Sequence, residues 1–318
     1  MPSIALATFA TLPELADDDR LFVGALANLG AHAVAVVWDD DTVVWNEFDA
    51  VIIRSCWDYH LRADEFFAWI DRVTALGVPI RNPPAMLRWN SRKTYLHDLT
   101  IGGVRTVPTL WLSAERTRES SPSLDRIMTD TGSHEAVVKP VVSASAHETW
   151  KVTHDDARAN AAEHDARLKE LADRDGAMVQ PFITEIAANG EWSLMFFGGT
   201  FSHAVLKRAA PGEFRVQREF GGTHESVTPS APVLAQAERA LRAAPGDSVY
   251  ARVDGYLLDG ELVLTELELL EPALFLDVHP EAPARFAAAI MASLSLPRSE
   301  GNGKRETGDR RREKQRRM

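Results

Sequence analysis

The sequence predicts an α/β protein that becomes α+β toward its C-terminus, and three observations carry this. Short apolar runs alternate with amphipathic stretches in a βαβαβ rhythm up to about residue 80, which builds a small parallel sheet. Asn82-Pro83-Pro84 interrupts that rhythm and marks a boundary. The last third is rich in strand patterns, with Gly198-Gly199 and Asp259-Gly260 as hairpin signals.

In order, Ile4 to Ala7 reads as a buried strand. Asp17 or Asp18 can cap a helix that runs to about Leu29 and stops at Gly30. Ala33–Trp38 and Asp49–Ile53 are further strands. A helix from Asp64 presents Phe67, Ile70, Val73 and Thr74 and ends at Gly77, before a short strand at Val78–Ile80. A helix is expected over Ser91–Ile101 and a surface loop over Ser113–Ser123. Strands are expected at Ala136–Lys139, Thr149–Val152 and Ala177–Gln180, with one long helix over Asp155–Asp173. Trp192–Phe197, Thr200–Leu206, Phe214–Gln217, Val249–Leu258 and Leu262–Leu269 read as extended. Ala231–Ala244 and Ala282–Leu294 read as helices.

Composition sets bounds on function. The chain has 318 residues, 45% hydrophobic and 25% charged, a globular balance that suggests about two domains. No apolar run approaches a membrane span, and the N-terminus reads as a strand rather than a signal peptide. The single cysteine, Cys56, fits a reducing cytosol and is expected to pack rather than react. The formal charge is −11, yet the stretch from Arg298 carries nine basic and four acidic residues, which leaves the remainder near −16. Such a body repels nucleic acid. The tail itself is expected to be disordered.

The chemistry-bearing pattern lies in the last hairpin. Asp254 is on one strand; Glu266 and Glu268, at i and i+2, share a face of the other. Three converging carboxylates repel one another unless protonated or neutralised, and hard oxygen ligands of this kind suit Mg²⁺. The competing reading is a solvated polar face. Geometry imposes a condition: a plain two-residue turn pairs Asp254 with Thr265 and sends Glu266 to the wrong side. A three-residue loop or a bulge is therefore expected. Lys139 ends an apolar strand before the small-residue loop Val142–Ala146. A lysine there can reach a phosphate, and the loop's N–H groups can approach phosphate oxygens, although a strand-ending lysine is more often simply solvated. Gln180-Pro181-Phe182-Ile183 can offer backbone groups and an apolar wall to a base, and Glu191 can bond a ribose. Trp57, Trp89 and Trp192 are expected to pack.

Taken together, Asn90-x-x-Lys93, Lys139 with its loop, Gln180–Ile183, Glu191, Lys207, Asp254 and Glu266-x-Glu268 resemble the ATP-grasp superfamily, in particular its glutathione-synthetase-like members. Arg54-Ser55-x-Trp57-Asp58-Tyr59 and Glu266–Leu276 look like the cycloserine-biosynthesis cyclo-ligase group. The resemblance implies an N-terminal substrate domain (1–83), two ATP-grasp subdomains (84–182 and 183–297) and the basic tail (298–318). It implies ATP held by Lys93, Lys139, Ser143, Ser145, Gln180, Phe182, Ile183, Glu185 or Glu191, and Lys207. Two Mg²⁺ would sit on Asp254, Glu266 and Glu268, although the family often has Asn at the position of Glu268. Arg215 and Arg252, with Lys139, are candidates for the transferring phosphoryl group; for both arginines a surface ion pair is an equal alternative. Arg54, Ser55, Asp58 and Glu271 would meet an amino-acid-like substrate, with Asp58 on its ammonium.

The implied activity is ATP-dependent carbon–nitrogen or ring-closing ligation through an acyl-phosphate, of O-ureido-serine type, in the cytoplasm. The alternatives are a two-substrate peptide-type ligase and a non-catalytic nucleotide-binding regulator. No nucleic acid or membrane partner is expected. The oligomeric state stays open, with dimers and tetramers common in the family.

Overall fold

A computed structural model describes residues 1–115, 123–217 and 220–295. Three sheets follow one another along the chain. The first is parallel, in the order β2-β1-β3-β4, from β1 (Ser3–Thr8), β2 (His32–Val37), β3 (Ala50–Ser55) and β4 (Ile80–Arg81). Helix α1 (Asp17–Asn28) and helix α2 (Ala63–Ala75) connect these strands. Alternation along β1 and β3 splits their side chains between two cores. Ile4, Leu6 and Ile52 pack with Phe22 and Leu26 of α1; Ala5, Ala7, Val51 and Ile53 pack with Phe66, Trp69, Ile70 and Val73 of α2.

Helices α3 (Pro84–Asn90) and α4 (Tyr95–Ile101) come next. The second sheet is antiparallel, β5-β8-β6-β7, from β5 (Leu110–Leu112), β6 (Glu135–Pro140), β7 (Trp150–Thr153) and β8 (Ala177–Pro181). Helices α5 (Leu124–Thr131), α6 (His154–Ala159) and α7 (Ala161–Arg174) belong to it. After α8 (Thr184–Asn189), the third sheet is antiparallel, β11-β10-β9-β12-β13. Its strands are β9 (Glu191–Phe197), β10 (Thr200–Arg208), β11 (Thr223–Val227), β12 (Tyr250–Leu258) and β13 (Glu261–Glu268), with α9 (Ala231–Arg242) and α10 (Ala282–Leu294).

The sheets are not independent. Met86 of α3 and Tyr95, Leu96 and Leu99 of α4 join the core of the third sheet, with Leu194, Phe196, Val253 and Leu267. Phe286 of α10 sits between Phe22 of the first sheet's helix and Phe197 and Tyr250 of the third. The first and third sheets therefore share a core, and the second has its own.

Several local expectations need correction. The helix expected over 91–101 is two helices: Pro84 suits the first turn of α3, and a break at 91–94 precedes α4. The break frees the Lys93 N–H to bond Val141 O at 2.9 Å across to the second sheet. The helix over 155–173 is divided at Asn160. The buried face of α2 is Phe66, Trp69, Ile70 and Val73, rotated from the expected set, because Thr74 turns its hydroxyl back to Ile70 O. Residues 214–217 form no strand, whereas Thr223–Val227 does, on the sheet edge. Helix α1 is preceded by Ala16 with no side-chain cap. Part of the 113–123 loop and the tail from 298 lie outside the described residues.

Candidate active site

The decisive local feature is at the end of β12–β13. The turn is the two-residue kind, with Asp259 and Gly260 both at positive φ, and Leu258 pairs with Glu261. Pairing runs regularly to Gly255–Leu264 and then jumps to Asp254–Glu266, leaving Thr265 as the extra residue of a bulge. Of the two devices expected from the sequence, the bulge is the one present. Gly255 permits it: a Cβ there would meet Val263 O at 2.5 Å. The same step flips the apolar parity of β13, so that Leu262 and Leu264 before it and Leu267 and Leu269 after it all enter one core. Oxygens of Asp254, Glu266 and Glu268 thereby come within 4.8 Å of one another.

Neighbouring strands extend this face into a polar stripe. Asp254 is opposite Ser193 on β9 and accepts a bond from its hydroxyl, and Lys207 on β10 is opposite Glu191. Lys207 Nζ lies 2.9 Å from Glu191 and 3.7 Å from Asp254. Arg252 bonds Asp254 (Nη2–Oδ2, 2.8 Å) and Glu268. Lys93 reaches over from the 91–94 break to pair with Glu266. The strand carrying these acids is an edge, and α3 and α4 satisfy its backbone. Asn90 donates to Leu267 O and accepts from Leu269 N, both at 2.7 Å, while the Tyr95 hydroxyl accepts from Leu267 N at 2.9 Å.

The electrostatics are tightly balanced. Burial opposes ionisation of Asp254 and Glu266, but Arg252 and Lys207 hold Asp254, and Lys93 holds Glu266, below the usual carboxylate range. Glu268 is pushed up to about 8 by burial against the pull of Arg252. Burial and then Lys93 lower Lys139, whose ammonium has no salt bridge among the described residues. A Glu268 carboxyl that resists ionisation until more positive charge arrives and an uncommitted ammonium at Lys139 face the same cleft, of about 550 Å³. Hard oxygens held this closely, with Asp254 and Glu268 sharing the single Arg252 and the Glu268 carboxyl pushed up by burial, fit a divalent cation such as Mg²⁺.

The cleft brings together most of the residues singled out in the sequence. Lys93, Lys139, Ser143, Ser145, Gln180, Phe182, Ile183, Glu191, Lys207, Arg215, Arg252, Asp254, Glu266, Glu268 and Glu271 all line it. Ser145, Ala146 and Glu148 have positive φ, which turns the 143–149 loop sharply over the end of β6. Gln180 Nε2 is fixed to Thr109 Oγ1 at 2.9 Å, and Phe182 carries the Lys151 ammonium 3.8 Å over its ring. Arg215 is locked bidentate to Glu213 (Nε–Oε1, 3.0 Å; Nη2–Oε2, 2.6 Å) and lies over Phe220.

Four residues do not line the cleft. Glu185 sits on α8 and accepts a bond from the Thr184 hydroxyl at 3.2 Å. Arg54 is 1% exposed, bound to Asp19 at 2.8 Å and to Pro272 O at 3.0 Å, and Ser55 bonds the same Asp19. Asp58 accepts from Trp38 Nε1 at 3.0 Å and Arg62 Nη2 at 2.9 Å. Arg54, Ser55 and Asp58 thus bond to groups within the protein and do not line the cleft. What they build is a wall. Arg54 on Pro272 O and Trp57 Nε1 on Glu271 O (3.2 Å) pin the segment after β13. Trp57 lines the cleft while its ring lies against Phe9 (centroids 6.3 Å); Trp89 and Trp192 pack on the third sheet's core. Cys56 is fully buried, and burial raises its thiol well above the ordinary range, as suits a packing residue. The sequence reading also missed Leu12, Ala16 and Asp18, which line the cleft from the β1–α1 loop; their signal was position, just past the carboxyl end of a parallel strand.

A search of curated proteins finds the cycloserine biosynthesis protein DcsG of Streptomyces lavendulae, 30% identical over 305 residues, spanning 92% of this chain and 99% of that protein. The chain belongs to the cycloserine synthetase family of ATP-grasp ligases. It is an ATP-dependent ligase. Within this family, the model of the D-cycloserine synthetase DcsG N-terminal domain matches residues 4–82. The crystal structure of D-cycloserine synthetase DcsG superposes with a TM-score of 0.80 at 27% identity, over 92% of this chain and 99% of that one. The D-alanine–D-alanine ligase of Bacillus anthracis shares the fold at 16% identity, TM-score 0.64, over 92% and 97% of the two chains. Among the described residues no helix is long and apolar enough to cross a membrane.

Proposed function

We propose that this ligase closes a ring within, or forms a carbon–nitrogen bond to, an amino-acid-like carboxylate through an acyl-phosphate, with O-ureido-serine as the fitting substrate type. The observation that carries the reading is the bulge that sets Asp254, Glu266 and Glu268 on one face, within reach of the cations Lys93, Lys207 and Arg252 and in one cleft with the unpaired Lys139. The likeness to a cycloserine biosynthesis protein supports the ring-closing form. ATP would occupy the side of the cleft formed by Lys139, the 143–149 loop, Gln180–Ile183 and Glu191, and two Mg²⁺ would be held by Asp254, Glu266 and Glu268. Bound there, magnesium supplies positive charge against the terminal phosphates.

A carboxylate oxygen attacks the terminal phosphorus and the bond to ADP breaks. The lysines and Arg252 offset the repulsion between like charges. The nitrogen then attacks the acyl carbon and loses a proton, and the carbon–oxygen bond to phosphate breaks. The 143–149 loop excludes water from the labile intermediate. When both groups belong to one molecule, closure gains the advantage of proximity. The cytoplasm is the natural setting for this chemistry.

The test is ADP and phosphate release with O-ureido-serine alone, followed by mass analysis of the product. Stoichiometric ADP and a cyclised product support the reading. ADP release only on adding a separate amine makes the enzyme a two-substrate ligase. No release with any amino-acid-like acid removes the proposal.

A further inference from the structure

Among the acids of the cleft, Glu271 differs in its surroundings. Glu266 has Lys93, Asp254 and Glu268 share Arg252, and Glu191 has Lys207 and the Thr265 hydroxyl. Asp17 pairs with Arg20 at 3.2 Å, and Asp18 accepts the Leu276 N–H at 3.4 Å with the Arg54 charge nearby. Glu271 has no salt bridge among the described residues, and its carboxyl meets only its own backbone N–H. It is partly buried, three residues beyond Glu268, and its nearest charged influences are Lys93, Glu266 and Arg252. Both of those cations are already committed to other acids.

The segment is not free to swing toward a partner. Trp57 holds the Glu271 carbonyl and Arg54 holds the Pro272 carbonyl, so the β3–α2 loop fixes the carboxyl at the border between the acid stripe and the N-terminal wall. A partly buried carboxylate held without a cation is costly unless a ligand brings one. The proposed substrate does so. Its reacting carboxylate must sit against the acid stripe and the terminal phosphate. In an α-amino acid the ammonium is a single carbon away, so it lands next to that stripe. Asp58, the acid expected from the sequence to receive it, is occupied by Trp38 and Arg62.

Resting on the function proposed above, we infer that Glu271 receives the α-ammonium of the substrate and selects amino acids over acids that lack that group. The experiment uses the full chain with ATP and Mg²⁺ and compares O-ureido-serine with its des-amino analogue in wild type, Glu271→Gln and Asp18→Asn, reading kcat and KM from ADP release. Wild type should prefer the amino substrate. Glu271→Gln should lose about tenfold to a hundredfold of that preference, the worth of a charge-assisted bond, mainly through KM. Its turnover of the des-amino analogue should stay within a few-fold of wild type, which also reports that the variant folds. If Glu271→Gln keeps the preference, or if Asp18→Asn is the variant that loses it, the inference is overturned. If Glu271→Gln turns over neither acid, Glu271→Asp decides: a restored preference supports the inference and an unchanged loss of all turnover overturns it. If wild type itself turns over neither acid, the proposed function fails and this inference falls with it.

Discussion

Gly255→Ala isolates the bulge from the acids it arranges. A methyl at position 255 would sit 2.5 Å from Val263 O, 2.8 Å from Leu262 Cδ1 and 3.2 Å from Val263 C, and two of these contacts are backbone. Overpacking of this kind costs about 1–3 kcal/mol. The strand can relieve it by parting from β13 or by slipping into straight register. In straight register Thr265 opposes Asp254, and Glu266 turns into the core that now receives Leu267. Either route separates Glu266 from Asp254. Losing one carboxylate from a three-acid site is expected to raise the Mg²⁺ concentration for half-maximal ADP formation about tenfold or more, roughly 1.4 kcal/mol. Magnesium titrations of ADP release, paired with thermal melts, measure both effects. Gly24→Ala is the control: Gly24 lies in α1 with nothing within 4 Å of the added Cβ, so the change should be neutral or stabilising by about 0.5–1 kcal/mol. A Gly255→Ala protein with a lowered Tm but wild-type magnesium dependence would refute the claim that the bulge sets the metal face.

Lys139→Met should raise the KM for ATP by about tenfold to a hundredfold, as loss of a charge-assisted contact to phosphate predicts. Tm should hold or rise, because a half-buried ammonium with no salt bridge among the described residues is removed; an unchanged KM sinks the phosphate role. Asn90→Ala leaves Leu267 O and Leu269 N without partners and should cost about 2–5 kcal/mol in urea unfolding. A loss under 1 kcal/mol, roughly, would mean water replaces the side chain. His203 is buried, with Nε2 2.9 Å from Leu274 O, and burial lowers it from 6.5 to about 4. The unfolded chain therefore takes up a proton below about 6.5 that the folded chain refuses until about 4, so stability is full above that window and falls as pH drops through it. The contribution is about 3 kcal/mol at most. His203→Gln should flatten the pH dependence of unfolding between those values by that amount, and an unchanged slope contradicts the assignment.

Much of this architecture is legible in the chain. Continuous apolar runs at Ile4–Ala7 and Ala50–Ile53 give the parallel sheet, because each strand must bury both faces under α1 and α2. The acid triad is legible too, and so is the need for a bulge, because carboxylates at 254, 266 and 268 cannot share a face of a straight hairpin. The bulge itself also had a signal: the apolar parity changes from Leu262 and Leu264 to Leu267 and Leu269. The polar residues of the β3–α2 loop look like ligands in sequence, whereas in space Asp19 bonds Arg54 and Ser55, and Trp38 and Arg62 bond Asp58. Asp19 and Trp38 lie 35 and 20 residues away along the chain, where no local pattern announces them, whereas Arg62 is the i+4 neighbour of Asp58 and was within reach of a local reading. The edge strand Thr223–Val227 was missed for a similar reason. Its exposed Thr223, Glu225 and Ser226 carry little apolar alternation, and backbone pairing with β10 holds it.

The central claim is that three acids on one strand pair hold magnesium beside a phosphate reached by Lys139. Crystals grown with Mn²⁺ and ADP, measured for anomalous scattering, test it directly. The account predicts two manganese peaks, with Asp254, Glu266 and Glu268 all supplying oxygens, and the Lys139 ammonium on a phosphate oxygen. Manganese bound elsewhere, or nucleotide phosphates lying away from Lys139, would contradict it.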